Sequence, residues 1–390
     1  MALVFKTDNA ASYLKGLFDT PTDTTSVGYL YGWGDNTKGQ LGNGTSSTTY
    51  ISDPVKISDT KWKFVQTQQY GGGNNRLALT DTGDLYRWGK SGTGSLYTTT
   101  QFTPLKLFDT KWNIAIFAND VVLMQAEDGL YGYGDPWNAT LGNPDVLMDN
   151  NIINQDTGRV DSPTKISNTK WKQITTCIYG DILALNEDGI MYAWGSGGIP
   201  EFMVDENGVK VNVSQTVKIS STKWKTLFNG GDWKCALTED NRLYSWGYAP
   251  THLFNDGVEP YINHPVRWGT TTYKVAAPTD NGLITIDESG DMYGVGSTYC
   301  KLLGFNLTKA QTVPVKLNNS KWKYITSSVF NALAIDENDH LYIWGNNRYK
   351  NIDDSLPTTH IQYTPLQIGT STWKHAYISN DEIVYGIRDE

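Results

Sequence analysis

Side chains able to do chemistry are few and scattered in this chain. Gly89-Lys90-Ser91 has the ending of a phosphate-binding loop, but Asp84 stands where such a loop needs its first glycine. Neither a G-x-S-x-G elbow nor an H-E-x-x-H helix occurs. The histidines His252, His264, His340, His360 and His375 are dispersed, and His252 with His264 lacks a third ligand nearby in sequence. Acidic runs such as Asp287-Glu288-Ser289-Gly290-Asp291 and Asp336-Glu337-Asn338-Asp339 lack the ligand ladder of a calcium loop, and tight-turn chemistry explains them. Cys177, Cys235 and Cys300 show no paired spacing, so they read as buried thiols. No catalytic residue, cofactor or metal is assigned, and the chain reads as a non-enzyme.

What does recur is structural. Leu30-Tyr31-Gly32-Trp33-Gly34 returns as Leu85-Tyr86-Arg87-Trp88-Gly89, Leu130-Tyr131-Gly132-Tyr133-Gly134 and Met191-Tyr192-Ala193-Trp194-Gly195. Leu243-Tyr244-Ser245-Trp246-Gly247, Met292-Tyr293-Gly294-Val295-Gly296 and Leu341-Tyr342-Ile343-Trp344-Gly345 follow, at a mean period of about 52 residues. Later copies are preceded by a strand such as Leu77-Ala78-Leu79 and an acidic turn such as Thr82-Gly83-Asp84, which together read as a hairpin. Each is followed by a variable loop, a Pro-containing strand and a lysine-tryptophan pair, as in Thr60-Lys61-Trp62-Lys63. Alternation puts Tyr and Trp on one side of the strand and Leu on the other, as a strand covered on both faces requires. The lysines around each Trp read as protection of an outer blade edge.

The pattern predicts an all-β, seven-bladed β-propeller over residues 27–390. The chain ends after Ile383-Val384-Tyr385-Gly386, where the next LYxWG strand is due, so Leu30 to Gly34 is expected to complete the last blade and close the ring. Residues 1–26 fall outside the repeat and form an N-terminal arm. A short helix from Asn9 to Phe18 is expected there, and Phe5, Tyr13, Leu14, Leu17 and Phe18 make it a candidate docking segment.

Tyr31-Gly32-Trp33-Gly34-Asp35-Asn36, Gly39-Gln40-Leu41-Gly42-Asn43-Gly44 and Pro54-Val55-Lys56-Ile57 together resemble the repeat of the regulator of chromosome condensation family. Later copies fade, with the GQLG segment kept only as Thr140-Leu141-Gly142-Asn143 and Leu302-Leu303-Gly304. The family's His before the Ala-Leu strand is replaced by Asn75, Asp181, Trp233 and Asn331. The resemblance implies a seven-bladed propeller used for protein contacts. Its members include a nucleotide-exchange factor on chromatin, a plant ultraviolet photoreceptor and a secreted inhibitor of β-lactamases.

A net charge of −9 without any Lys/Arg run argues against a nucleic-acid partner. Leu3-Val4-Phe5 is followed at once by Lys6, Thr7 and Asp8, so neither a secretory signal nor a membrane span is expected. Eleven of the 14 tryptophans sit in the two repeating motifs, where packing accounts for them. Function belongs to the residues that break the repeat: Trp137, Trp233, Tyr248, Tyr299, Arg348 and Tyr349 are the candidate protein-binding positions. The favoured reading is a structural or attachment component of a larger particle such as a phage virion. The alternative is a soluble regulatory binder or inhibitor of one enzyme or GTPase, acting through the loop face. The corresponding locations are the virion or the cytoplasm, and the protein partner is not identified.

Overall fold

The computed structural model describes residues 26–47, 49–67, 74–90, 99–118, 120–135, 141–142, 153, 158–176, 181–195, 215–229, 233–248, 261–279, 282–296, 310–379 and 383–390. The docking-arm positions Phe5, Tyr13, Leu14, Leu17 and Phe18, and the helix expected there, lie outside these residues, as do Trp137 and Tyr299.

Among the described residues every regular element is a strand. Each blade is a four-stranded antiparallel sheet in the order Trp strand, Ala-Leu strand, LYxWG strand, Pro strand. In blade 2 these are Ile114–Ala118, Val121–Ala126, Gly129–Gly134 and Val160–Ser167. Blade 1 takes the second half of Ile51–Thr67, then Asn74–Thr80, Leu85–Lys90 and Gln101–Lys106. The first half of Ile51–Thr67 is the Pro strand of blade 7, so one long strand serves two blades and joins them in a seven-stranded sheet. Tyr261–Thr279 does the same for blades 4 and 5. Blade 7 is built from both ends of the chain: Gly28–Gly34 pairs with Val384–Arg388, Tyr29 opposite Arg388 and Trp33 opposite Val384.

Both faces of a blade are buried, as the alternation demands. Leu30 joins the apolar cluster shared with blade 1, whereas Tyr31 and Trp33 join the one shared with blade 6. Within each blade the aromatic residue that opens the Trp strand meets the LYxWG tyrosine edge-on. Examples are Trp62 with Tyr86 at 5.2 Å, Trp171 with Tyr192 at 5.3 Å and Trp322 with Tyr342 at 5.0 Å between ring centroids. Such pairs contribute about 0.5–1.5 kcal/mol each beyond the area they bury. The glycine that ends the motif has positive φ in all seven copies, +101° at Gly89 and +116° at Gly345, which explains why the position admits no other residue readily.

The structure corrects one expectation. The Trp strand is the innermost strand, not the outer edge: successive Trp strands contact one another around the centre, and Tyr377 Oη of blade 7 reaches the Lys63 carbonyl of blade 1. The outer edge belongs to the Pro strand, whose burial is low along Gln101–Lys106 and Gln311–Lys316. Edge protection therefore falls to Pro104 and Pro314, which remove a donor from the exposed ladder. Around the centre, side chains of neighbouring inner strands interlock. Phe117 N–H donates to Gln66 Oε1 at 2.7 Å, and Gln173 donates from Nε2 to the Leu227 carbonyl at 2.8 Å.

Candidate binding faces

Antiparallel pairing sorts the connections onto two faces. One carries the acidic hairpin turns together with the corners that lead into the Trp strands. The other carries the opposite strand ends, with the described loop segments 35–47 and 347–360.

The first face is charged and ordered by the repeat. Lys111, just before Trp112, reaches back to Asp84 in the turn of blade 1 at 2.6 Å, and Lys106 of the Pro strand closes on the same carboxylate at 3.0 Å. Blade 5 repeats the clamp, with Lys321 at 2.7 Å and Lys316 at 3.0 Å from Asp291. Hydrogen bonds from Lys111 and then Lys106 hold the Asp84 carboxyl down at about 2. An unfolded aspartate titrates near 3.9. A depressed folded value means that this contribution to stability is complete above pH about 4 and is lost as pH falls through about 2. Asp84→Asn is thus expected to flatten the acid limb of the stability curve in that window; an unchanged limb in urea titrations at pH 2–5 would refute the assignment.

The lysine after the Trp has a different place. Lys172, Lys225, Lys274, Lys323 and Lys374 line two cavities at the central opening on this face, of about 460 and 440 Å³. Lys63 occupies the same repeat position and is half-buried, and burial pushes its ammonium pKa down.

On the loop face, the family-like motif of blade 7 proves to be a latch between blades. Asn36 is fully buried; its Oδ1 accepts from Leu41 N–H at 3.1 Å, and the Gln40 carbonyl accepts from Trp88 Nε1 of the next blade at 2.7 Å. A Cβ on Gly42 would lie 2.6 Å from the Trp88 ring, which is why that position is glycine. Blade 6 builds the same latch from a sequence without the glycines. Asn347 Oδ1 accepts from Ile352 N–H, Lys350 takes the positive φ, and the Asn351 carbonyl accepts from Trp33 Nε1 at 3.0 Å. Sequence reading missed this copy; the five-residue spacing from Asn36 to Leu41, repeated from Asn347 to Ile352, is the signal that identifies it.

The candidate binding residues divide accordingly. Arg348 is exposed beside half-buried Tyr349, with its guanidinium carbon 5.4 Å from the ring centroid. Tyr349 meets Tyr50 of blade 7 edge-on at 5.5 Å, so an Arg-Tyr-Tyr patch bridges blades 6 and 7. Sequence reading did not include Tyr50, which is 37% exposed. Trp233 is not available to a partner. It is 1% exposed, packs in the cluster between blades 4 and 5, and donates its indole N–H to the Thr279 carbonyl. Tyr248 ends the strand Arg242–Tyr248, and its side chain is outside the described set. The buried Cys235 has its thiol pKa pushed up by desolvation. No helix among the described residues is long and apolar enough to cross a membrane.

Residues 28–73 match the regulator of chromosome condensation (RCC1) repeat. The guanine nucleotide exchange factor SRM1 of Saccharomyces cerevisiae is 27% identical over 221 residues, 46% of this chain and 44% of that protein. Protein RCC1 of Candida albicans is 31% identical over 180 residues, 43% of this chain and 36% of its own length. The chain thus spans less than half the length of either of these relatives. The crystal structure of Prp20p from Saccharomyces cerevisiae, described with its binding properties to Gsp1p and histones, superposes with a TM-score of 0.71 at 18% identity, over 99% of this chain and 95% of that one. With its seven blades, its inter-blade latch and these likenesses, the chain is a divergent RCC1-like β-propeller.

Proposed function

We propose that the protein is a regulatory binder of another protein, acting by association rather than turnover and using the loop face. The observation that carries the reading is the Arg348–Tyr349–Tyr50 patch. It is an arginine and two tyrosines, partly exposed on a rigid seam between blades, and these residue types concentrate binding energy at protein interfaces. Two similarities favour a regulatory partner over a particle-borne structural role. One relative is an exchange factor, and the Prp20p structure is described with Gsp1p and histones. Nothing in these similarities favours a virion component. A GTPase or another regulatory protein is the partner class this supports, and residues 1–26 are an accessory arm to the 27–390 propeller.

A pull-down from the native source tests the reading, with the full chain, an Arg348→Ala/Tyr349→Ala variant and a chain lacking residues 1–25. One discrete partner, retained without the arm and weakened by roughly tenfold or more in the double variant, is the expected result. Recovery of many copies of particle proteins, lost on removing the arm, would overturn it.

A further inference from the structure

The charged face poses a separate question from the loop face. The chain is acidic overall, yet Lys63, Lys172, Lys225, Lys274, Lys323 and Lys374 occupy one repeat position around the opening at the propeller centre. Only blade 2 departs, with Asn113. Packing does not ask for lysine there, because the adjacent Trp or Tyr fills the blade interior. Nor does the hairpin clamp, which uses the lysine before the Trp.

The six lysines differ in how they are neutralised. Lys172 lies 3.6 Å from Glu239, Lys374 lies 2.6 Å from Asp389, and Lys323 contacts Asp339. Lys225 donates to Asn241 Oδ1, a neutral acceptor, at 2.7 Å. Lys274 makes no ion pair among the described residues, and it lines both cavities. The larger cavity is also lined by Ser26, Thr372 and His375 and by the carboxylates of Asp339 and Asp389, and the smaller by Glu239. These are the acids already paired with Lys323, Lys374 and Lys172, which leaves Lys225 and Lys274 without a carboxylate partner among the described residues. Burial lowers the proton affinity of Lys63 and Lys323, a cost that a bound anion offsets.

We propose that this central opening is a binding site for a compact polyanion of clustered phosphates, with Lys274 as its shared central contact. Each cavity has more lysines than carboxylates in its lining, and the excess centres on Lys225 and Lys274; lysine recognises phosphate as a mobile point charge. A compact ligand suits the place better than an extended one, since the lysines form a ring and not a track.

The test is calorimetric titration of the full chain with inorganic tripolyphosphate at low ionic strength, checked by phosphorus NMR. One-to-one binding that weakens with added salt is expected. Lys274→Gln is expected to weaken it roughly tenfold, and Lys274→Arg to retain it. Lys274 breaks no ion pair when replaced, so the variant should keep the parent melting temperature. Lys218→Gln, on the exposed Pro strand of blade 3, should bind as the parent does. The proposal is overturned by absence of binding, by equal losses in the Lys274 and Lys218 variants, or by binding of poly-glutamate but not tripolyphosphate. It is also overturned if tripolyphosphate binds only a chain starting at Ser26, which would make the preceding residues the natural occupant.

Discussion

Gly89→Ala is expected to destabilise the protein by about 3–5 kcal/mol, with a large fall in melting temperature. Two separable effects add. The residue sits at φ +101°, which an L-side chain adopts only with strain of about 1–2 kcal/mol. In addition, an added Cβ would stand 1.9 Å from the Asn74 carbonyl oxygen, so the hairpin backbone of blade 1 must move. Gly345 repeats the situation in blade 6, 2.1 Å from the Phe330 carbonyl oxygen, and its alanine variant should fall in the same range. Gly369 isolates the first effect. It lies at φ +57° with nothing within 4 Å of a built Cβ, so Gly369→Ala should lose only about 1 kcal/mol. Urea unfolding of the three variants decides the matter. Equal losses at Gly89 and Gly369 would mean that the close approach plays no part.

Trp33→Ala carries the second large effect, about 3–5 kcal/mol from the cavity it leaves. Trp33 is fully buried where blade 7 meets blade 6, 5.8 Å from the Trp373 ring, and its indole N–H satisfies the Asn351 carbonyl. Its removal empties the seam and orphans that acceptor. Trp33→Phe keeps most of the volume but not the donor, so it should lose less than the alanine variant and more than a surface change. A loss below about 1 kcal/mol for the alanine variant, measured by urea unfolding, would show that the blades 6 and 7 seam tolerates the void.

The blade count, the hairpins and the pairing of the chain's two ends were legible because the same Leu, Tyr and Trp recur in a strand buried on both sides. The radial order was not. Lys-Trp-Lys and a Pro-containing strand both look like edges in one dimension, and only pairing partners some fifty residues away say which edge faces the centre. The two lysines of Lys-Trp-Lys then part company, Lys321 clamping Asp291 while Lys323 lines the central opening. Trp233 misled for a related reason. Measured against the family's histidine it breaks the repeat, but its strand has no solvent face, so an unusual residue there is still a core residue. The Asn347 latch was hidden because glycine marks the motif in blade 7, whereas Lys350 adopts the same left-handed backbone in blade 6. Of the binding candidates, Arg348 and Tyr349 were visible as loop decoration, but their partner Tyr50 comes from a different blade and sits some three hundred residues earlier in the chain.

The pairing of Gly28–Gly34 with Val384–Arg388 also sets a timetable for synthesis. Tyr29 leaves the ribosome about 360 residues before its cross-strand neighbour Arg388. At roughly 5–20 residues per second the first strand waits tens of seconds with Leu30 and Trp33 uncovered on one edge. The long strand Ile51–Thr67 shortens that exposure on its other side, since it can pair with Gly28–Gly34 as soon as both have emerged. In that interval the nascent chain carries a four-stranded blade 1 tied through Ile51–Thr67 to an unfinished blade 7, and that blade closes when the hairpin of His375–Ile378 and Val384–Arg388 captures the waiting edge.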